Sequence, residues 1–124
     1  MSFNFDQTLT GQHLIEASAG TGKTHLLTTL YLRLLLGLGT HNAKAYDVSE
    51  ILVVTFTIAA TKELKNRIRQ RIKAAITAIT AELSNDTEIT ALFEDRSAEE
   101  IQLDLERLKQ ALLSFDEARI HTIH

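Results

Sequence analysis

The sequence has no cysteine, proline or tryptophan among its 124 residues, and it has only five glycines. Without cysteine the chain can form no disulfide, no thiolate metal site and no cysteine nucleophile. Without proline its helices can run uninterrupted, so we expect long helices and few loops. A hydrophobic content of 44% is ordinary for a globular protein, and the length suits one modest domain with a single core.

Long apolar runs are missing as well. The longest, LYLRLLLGLG from Leu30, is interrupted by Arg33 and is too short to cross a bilayer. The chain opens without a charged and then apolar leader, which predicts a cytoplasmic rather than a secreted protein. It closes on an apolar, strand-like segment without a polar tail, so we expect these 124 residues to be a fragment of a longer polypeptide.

The net charge of -3 argues against a protein that binds nucleic acid over its whole surface. A local basic segment nevertheless stands out, with one acid, Glu63, among six basic residues. These are Lys62, Lys65, Arg67, Arg69, Arg71 and Lys73. Because they surround an apolar stripe, the simpler interpretation is a solvated helix face, and the alternative is a docking face for a partner.

The first half of the chain alternates between strand and helix patterns. Residues 13–18 read as a short buried strand, and the leucines that follow recur at helical spacing until Gly37 or Gly39, where a glycine should end the helix. Residues 50–57, EILVVTFT, are β-branched and apolar on both faces, which is typical of a central parallel strand.

The second half is predicted to be mainly helical. An apolar stripe from Ala60 to Leu83 predicts one long helix that ends near Ser84, and SAEE at residues 97–100 has the spacing of a capping box that starts another. The terminal ARIHTIH resembles a strand that enters a loop. Strand, helix, strand, helices and strand in this order predict an α/β fold with a parallel sheet.

AGTGKT, at the junction of the first strand and helix, has the chemistry of a phosphate-binding loop. Its glycines allow backbone N–H groups to turn toward a phosphate, and the following helix presents its positive end. Lys23 would contact the β- and γ-phosphates, and the Thr24 hydroxyl would hold Mg²⁺. The full pattern has glycine where this chain has Ala17, and a methyl group is tolerable there if φ is negative.

Together with LIEASAGTGKT, the segments YLRLLLGLG, ILVVTFT and the closing TIH resemble the superfamily 1 DNA helicases with UvrD-like cores, in the branch of the RecB-type exodeoxyribonuclease V beta subunits. The resemblance runs in order over nearly the whole chain. It implies a partial three-layer P-loop NTPase (RecA-like) parallel sheet, with long helices inserted after the second strand. Residues 1–124 would then be the N-terminal part of the ATP-binding helicase domain, with residues 60–113 as a helical segment within it.

The resemblance assigns ATP and Mg²⁺ as cofactors, with Lys23 and Thr24 in catalytic roles. The matching phosphate-loop residues are Ala17, Ser18, Ala19, Gly20, Thr21, Gly22, Lys23 and Thr24. It also implies that DNA, single-stranded or double-stranded, is bound by the loops after the second and third strands, and that exodeoxyribonuclease V gamma and alpha subunits are partners. The DNA-binding residues would be Thr55, Phe56, Thr57, Thr122 and His124.

Such an enzyme would act in double-strand break repair and recombination, yet parts of its cycle are missing from this sequence. No apolar strand ends in paired acids, so we expect the chain alone to bind nucleotide weakly and neither to hydrolyse ATP nor to unwind DNA. Two other readings stay open. The chain could be a self-contained P-loop module, such as a kinase or a regulatory ATPase, or a non-catalytic interaction protein that docks through the basic helix.

Overall fold

The computed structural model describes residues 13–17, 21–81 and 87–123, and its side chains over residues 24–80 and 89–123. It contains three strands: β1 (His13–Ala17), β2 (Ile51–Thr55) and β3 (Arg119–Thr122). Four α-helices connect them: α1 (Thr21–Leu36), α2 (Ile58–Ala81), α3 (Thr87–Phe93) and α4 (Ala98–Leu113). The strands form one parallel sheet in the order β1-β2-β3, so the predicted α/β class and the central place of β2 are confirmed.

Helices α1 and α2 pack against the sheet and against each other, and α4 packs on both of them from outside. This arrangement follows from the strand order, because two right-handed crossovers that advance in the same direction place their helices on the same face of the sheet. Ile51 and Val53 are buried under these helices, whereas Leu52 and Val54 on the opposite face are only half-buried. The part of the chain that the structure describes has no helix on that opposite face, where a three-layer fold would require one.

Helix α1 ends where the glycine pattern predicts. Gly37 has a φ of +74°, and the N–H of Leu38 donates to the carbonyl of Arg33 at 2.9 Å, which closes a Schellman turn. A Cβ atom at Gly37 would lie 2.5 Å from the carbonyl oxygen of Ala43, so a side chain there would also collide with the returning backbone. The N–H of Tyr46 donates to the carbonyl oxygen of Leu34 at 2.9 Å, which fixes the connection between α1 and β2 to the end of α1.

The core consists largely of leucine and isoleucine from α1, α2 and α4 with the buried residues of β2 and β3. Tyr31 of α1 is fully buried inside it, and among the described residues its hydroxyl has no hydrogen-bond partner. Burial, with a smaller contribution from the charge of Asp47, raises the pKa of Tyr31 far above its usual value, so this phenol stays neutral. Within the described residues no helix is both long and apolar enough to span a membrane.

Three features differ from the sequence expectations. The second strand begins at Ile51 and ends at Thr55, because residues 48–50 form a 3₁₀ turn and Phe56 and Thr57 bend away from the sheet. Helix α2 begins at Ile58, two residues early, because the Thr57 hydroxyl accepts from the Ala60 N–H at 3.0 Å and caps its start. Helix α3 has no counterpart in the prediction. The predicted end of α2 near Ser84 lies outside the described residues.

Helix α4 starts at the predicted capping box. The Ser97 hydroxyl accepts from the N–H of Glu100 at 3.2 Å, and the Glu100 carboxylate accepts from the N–H of Ser97 at 2.9 Å. One turn further, Asp104 is completely buried and accepts two hydrogen bonds from Arg96, at 2.7 and 3.0 Å. These bonds raise the pKa of Arg96 above its usual value. The pair fixes the connection between α3 and α4 to the body of α4.

Replacing Asp104 with alanine should lower the free energy of unfolding by about 3 kcal/mol, because the Arg96 guanidinium, 18% exposed, then loses its buried partner. Chemical denaturation followed by circular dichroism measures this loss. The matched control is Glu100→Gln, which removes the exposed ion pair with Arg96 but retains an acceptor for the cap, and its effect should be far smaller. Equal losses in the two variants would show that the buried pair contributes no more to the free energy of unfolding than the exposed pair does.

Candidate nucleotide and nucleic-acid site

The carboxyl ends of the three strands lie level with one another. Ala17, the last residue of β1, pairs with Thr55, the last residue of β2, and Thr55 pairs with Thr122, the last residue of β3. Ligands of parallel α/β sheets bind outside this edge. The predicted phosphate loop and the predicted nucleic-acid residues of β2 and β3 therefore meet at one edge of the sheet.

The predicted phosphate loop joins β1 to α1. Strand β1 ends at Ala17 and α1 begins at Thr21, so Thr21, Gly22, Lys23 and Thr24 form the first turn of the helix. Ser18, Ala19 and Gly20 lie outside the described residues, as do the side chains of Ala17 and residues 21–23. The structure therefore describes the backbone on both sides of the loop, at Ala17 and at residues 21–24, and the side chain of Thr24, which is half-buried.

The first turn of α1 suits an anion. The first N–H groups of a helix have no partner within the helix, and they lie at the positive end of its dipole. This turn contains no acidic residue that would compete for them or repel a phosphate. A strand, a short glycine-containing connection and a helix start in this order fit the triphosphate of a nucleotide.

A cavity of about 220 Å³ opens beside the first two turns of α1, between this helix and the middle of α2. Thr24, His25 and Thr28 form its α1 wall. Its α2 wall contains two arginines, one of which, Arg71, donates to the Thr29 hydroxyl at 3.2 Å. The two helices are thus joined by a polar contact of Arg71, which lines the same cavity as the predicted magnesium ligand Thr24. The full lining is Thr24, His25, Thr28, Arg67, Gln70, Arg71 and Ala74.

Phe56 projects from the bend that follows β2. Its side chain is 60% exposed, so it is not part of the core. Ile58 at the start of α2 is 61% exposed and Ile123 after β3 is 43% exposed, so apolar surface continues across the edge. An exposed aromatic ring at the end of a buried strand is the type of platform on which the bases of single-stranded nucleic acid stack.

The threonines on either side of Phe56 are engaged within the protein. Thr55 is 1% exposed, and its hydroxyl lies 3.1 Å from the carbonyl oxygen of Thr57 and 2.5 Å from the hydroxyl of Thr61. The Thr57 side chain is exposed, and its hydroxyl caps α2. The predicted contact of Thr55 with nucleic acid stays a prediction. In this conformation its buried hydroxyl forms hydrogen bonds within the bend.

The end of β3 completes the edge. Thr122 is half-buried, with its hydroxyl 2.6 Å from that of Thr61, and the N–H of Ile123 donates to the carbonyl of Thr55 at 2.7 Å. His124 lies outside the described residues. His121 is exposed, and the described part of the chain contains no cluster of His, Cys, Asp and Glu that could hold a metal ion.

The basic residues of α2 form a largely solvated face, as predicted: five of the six are exposed, and Arg71 is half-buried. Three of them also make contacts within the molecule. Arg67 forms an ion pair with Glu63 at 2.9 Å, and the guanidinium of Arg69 lies 5.0 Å from the ring centre of Phe115. Arg71 contacts α1, as described above. Half of the predicted basic stripe is therefore used in contacts within the molecule, which leaves less of it for a docking partner.

One member of the site, Thr61, was absent from the sequence prediction. It is 8% exposed and lies on the buried stripe of α2 with Leu64, Ile68, Ile72 and Ala75, a spacing of three and four residues. The helical period could have predicted that Thr61 is buried. A buried threonine at the start of a helix that follows a strand would then have indicated a contact with the strand ends.

Comparison with known proteins agrees with this geometry. Residues 4–124 match the family model described as the UvrD/REP helicase N-terminal domain. The chain is 48% identical over 120 residues to the RecBCD enzyme subunit RecB of Haemophilus influenzae, and 47% identical over 121 residues to that of Escherichia coli. Against the RecB of Mycobacterium tuberculosis the identity is 38% over 112 residues.

These alignments cover 90%, 94% and 90% of this chain, respectively, but only 10% of each relative. The chain thus spans about one tenth of the length of the curated relatives that it matches. The family model covers the first strand with its glycine-containing connection, the Phe56 bend and the end of β3. The chain belongs to the UvrD/REP helicase N-terminal domain family.

Proposed function

We propose that this chain is the N-terminal, ATP-binding part of the first motor domain of an ATP-dependent DNA helicase and exonuclease of the RecB type. The observation that supports the proposal is the level pairing of Ala17, Thr55 and Thr122, because the predicted nucleotide loop after β1 and the exposed Phe56 bend after β2 would then share one sheet edge. The relatives named RecBCD enzyme subunit RecB support it. The whole enzyme would act on DNA ends in double-strand break repair and recombination.

The nucleotide half of the site consists of residues 17–24. The backbone of Ala17 to Gly22 would surround the phosphates, Lys23 would neutralise the β- and γ-phosphates, and the Thr24 hydroxyl would hold Mg²⁺. ATP, when bound, supplies the free energy of phosphate transfer to water. The contribution of this chain is to orient the triphosphate and to balance its charge at the end of a helix that is anchored in the core through Leu27 and Tyr31.

The nucleic-acid half is the bend after β2 with the end of β3. Phe56 would stack on a base, and the neighbouring hydroxyls and backbone groups at Thr57, Thr122 and His124 would contact the sugar-phosphate chain. The two halves lie one strand spacing apart, because the phosphate loop follows β1 and the Phe56 bend follows the adjacent strand β2. A change at the phosphate loop could therefore reach the nucleic acid through one rigid parallel strand pair.

Other parts of the reaction must come from outside these residues. The described strands end at Ala17, Thr55 and Thr122, so none of them ends on the carboxylate that would complete a magnesium site. Arginine fingers, which contribute about 10³–10⁵ to the rate of related NTPases, would be brought by a second motor domain outside these residues. Exodeoxyribonuclease V gamma and alpha subunits are the partners that this proposal implies. The chain alone would be catalytically inert.

Replacing Lys23 with alanine should weaken the binding of ATP with Mg²⁺ by at least about tenfold, because a charge-assisted hydrogen bond contributes about 1.5–3 kcal/mol. Titration of the purified chain with a fluorescent ATP analogue measures the affinity. Lys109→Ala, which removes an exposed lysine on α4, is the matched control and should bind like the unaltered chain. Equal affinity in the Lys23 variant would contradict the nucleotide site, and brisk DNA-stimulated hydrolysis by the unaltered chain would contradict its inertness.

Replacing Phe56 with alanine should weaken the binding of a single-stranded oligo(dT) by roughly tenfold, since stacking contributes about 1–3 kcal/mol per base. Fluorescence anisotropy of a labelled oligonucleotide at fixed, low ionic strength measures this change. Leu113, 82% exposed at the end of α4, offers a matched apolar control whose replacement by alanine should leave the affinity unchanged. If both variants weaken binding equally, the effect reflects general apolar surface and not the Phe56 platform.

A further inference from the structure

Thr61 joins the ends of two strands to the start of α2. Its hydroxyl lies 2.5 Å from that of Thr55 on β2, 2.6 Å from that of Thr122 on β3, and 3.1 Å from the carbonyl oxygen of Thr57. Thr61 is 8% exposed and Thr55 is 1% exposed, so the bond between them is shielded from water, whereas the bonds to Thr122 and to the Thr57 carbonyl are partly shielded. The hydroxyls of Thr55, Thr61 and Thr122 form a cluster, and Phe56 lies in the bend between Thr55 and Thr57 that this cluster holds.

One arrangement of the hydroxyl hydrogens joins all three threonines, since either oxygen of the Thr55–Thr61 and Thr61–Thr122 pairs can be the donor. If Thr55 and Thr122 each donate to the Thr61 oxygen, which has two lone pairs, Thr61 donates its own hydrogen to the Thr57 carbonyl. All three hydroxyl hydrogens are then used. The distances of 2.5 and 2.6 Å lie within the range of hydrogen bonds between hydroxyl groups.

The cluster fixes the bend on both sides of Phe56. Thr55 is held through its side chain by Thr61 and through its carbonyl by the Ile123 N–H, and the carbonyl of Thr57 accepts from the backbone and the side chain of Thr61. The Phe56 side chain itself remains 60% exposed. An exposed aromatic ring between two anchored residues loses little conformational freedom when a base stacks on it.

We propose that Thr61 is a positioning residue for nucleic-acid binding: it holds the Phe56 bend against the end of β3, and it does not contact the nucleic acid itself. The inference rests on the proposed function of Phe56 as a stacking platform. The fold does not require this hydroxyl, because without it Thr55 keeps an acceptor in the Thr57 carbonyl at 3.1 Å. Valine at position 61 fills the same volume and removes only the connecting hydroxyl.

The absence of tryptophan from the chain allows a direct test. Phe56→Trp places a single indole fluorophore at the bend, where it can also stack on bases. The steady-state anisotropy of this indole and its quenching by acrylamide report the order of the bend without ligand, and quenching by oligo(dT) reports the affinity. Thr61→Val and Thr61→Ser are compared in the Phe56→Trp background, with serine as the control that retains the hydroxyl.

Thr61→Val should lower the anisotropy of the indole, increase its quenching by acrylamide and weaken oligo(dT) binding by about fivefold, the equivalent of one hydrogen bond. Thr61→Ser should retain most of each signal. Circular dichroism should give the same helical content for the Phe56→Trp protein and both of its Thr61 variants. If Thr61→Val unfolds the chain, Thr122→Val, which removes the bond between Thr61 and β3, should lower the anisotropy of the indole and increase its quenching by acrylamide at smaller amplitude. These two signals are read without oligo(dT), because Thr122 is itself a proposed contact to the sugar-phosphate chain.

The outcomes separate the inference from the function on which it rests. If Thr61→Val changes neither the order of the indole nor the affinity, while Phe56→Ala still weakens binding, the positioning role is wrong and the stacking platform stands. If no variant binds oligo(dT), the proposed function fails. A loss of order at the indole in Thr61→Val would then still establish that Thr61 holds the bend in place. Equal losses in the serine and valine variants would assign the effect to packing and overturn the role of the hydroxyl.

Discussion

The parallel pairing of β1, β2 and β3 is the constraint on which the rest of the molecule depends. Because the register sets Ala17, Thr55 and Thr122 level, three segments that are far apart in sequence end at the same edge. A register shift of one residue would turn the buried residues Ile51, Val53 and Ile120 away from the helices and would move the strand ends apart. The packing of the core and the assembly of the site therefore specify the same register.

Helix α2 links these two requirements. Its buried stripe, which includes Leu64, Ile68 and Ile72, packs in the core. The same stripe begins near the N-terminus of the helix with the polar Thr61. Arg71 ties the middle of α2 to α1 through Thr29, beside the cavity next to Thr24. One helix thus contacts the neighbourhood of the nucleotide loop and the bend that carries Phe56, which provides a physical connection between the two proposed ligand sites.

Features that depend on local chemistry could be predicted from the sequence. The end of α1 at Gly37 and the capping box at Ser97 are set by residues a few positions apart, and the β-branched run of β2 needs no distant partner to be recognised. Specific side-chain contacts could not be predicted in full. The helical period indicates that Thr61 is buried, but its bonds to Thr55 and Thr122 form only when β2, β3 and α2 meet. The exposure of Phe56 and the pairing of Asp104 with Arg96 likewise depend on the path of the chain around them, which the pattern of residues does not contain.

The most direct test of a shared edge is a two-step titration of the ¹⁵N-labelled chain, followed by backbone amide resonances, which detects even weak binding. Addition of ATP with Mg²⁺ should shift the amides of residues 17–24 most strongly, because their N–H groups would contact the phosphates. Subsequent addition of oligo(dT) should shift residues 55–58 and 122–123, next to the first set across the sheet. Shifts that miss residues 17–24, or that gather on α4 far from the strand ends, would contradict the common edge.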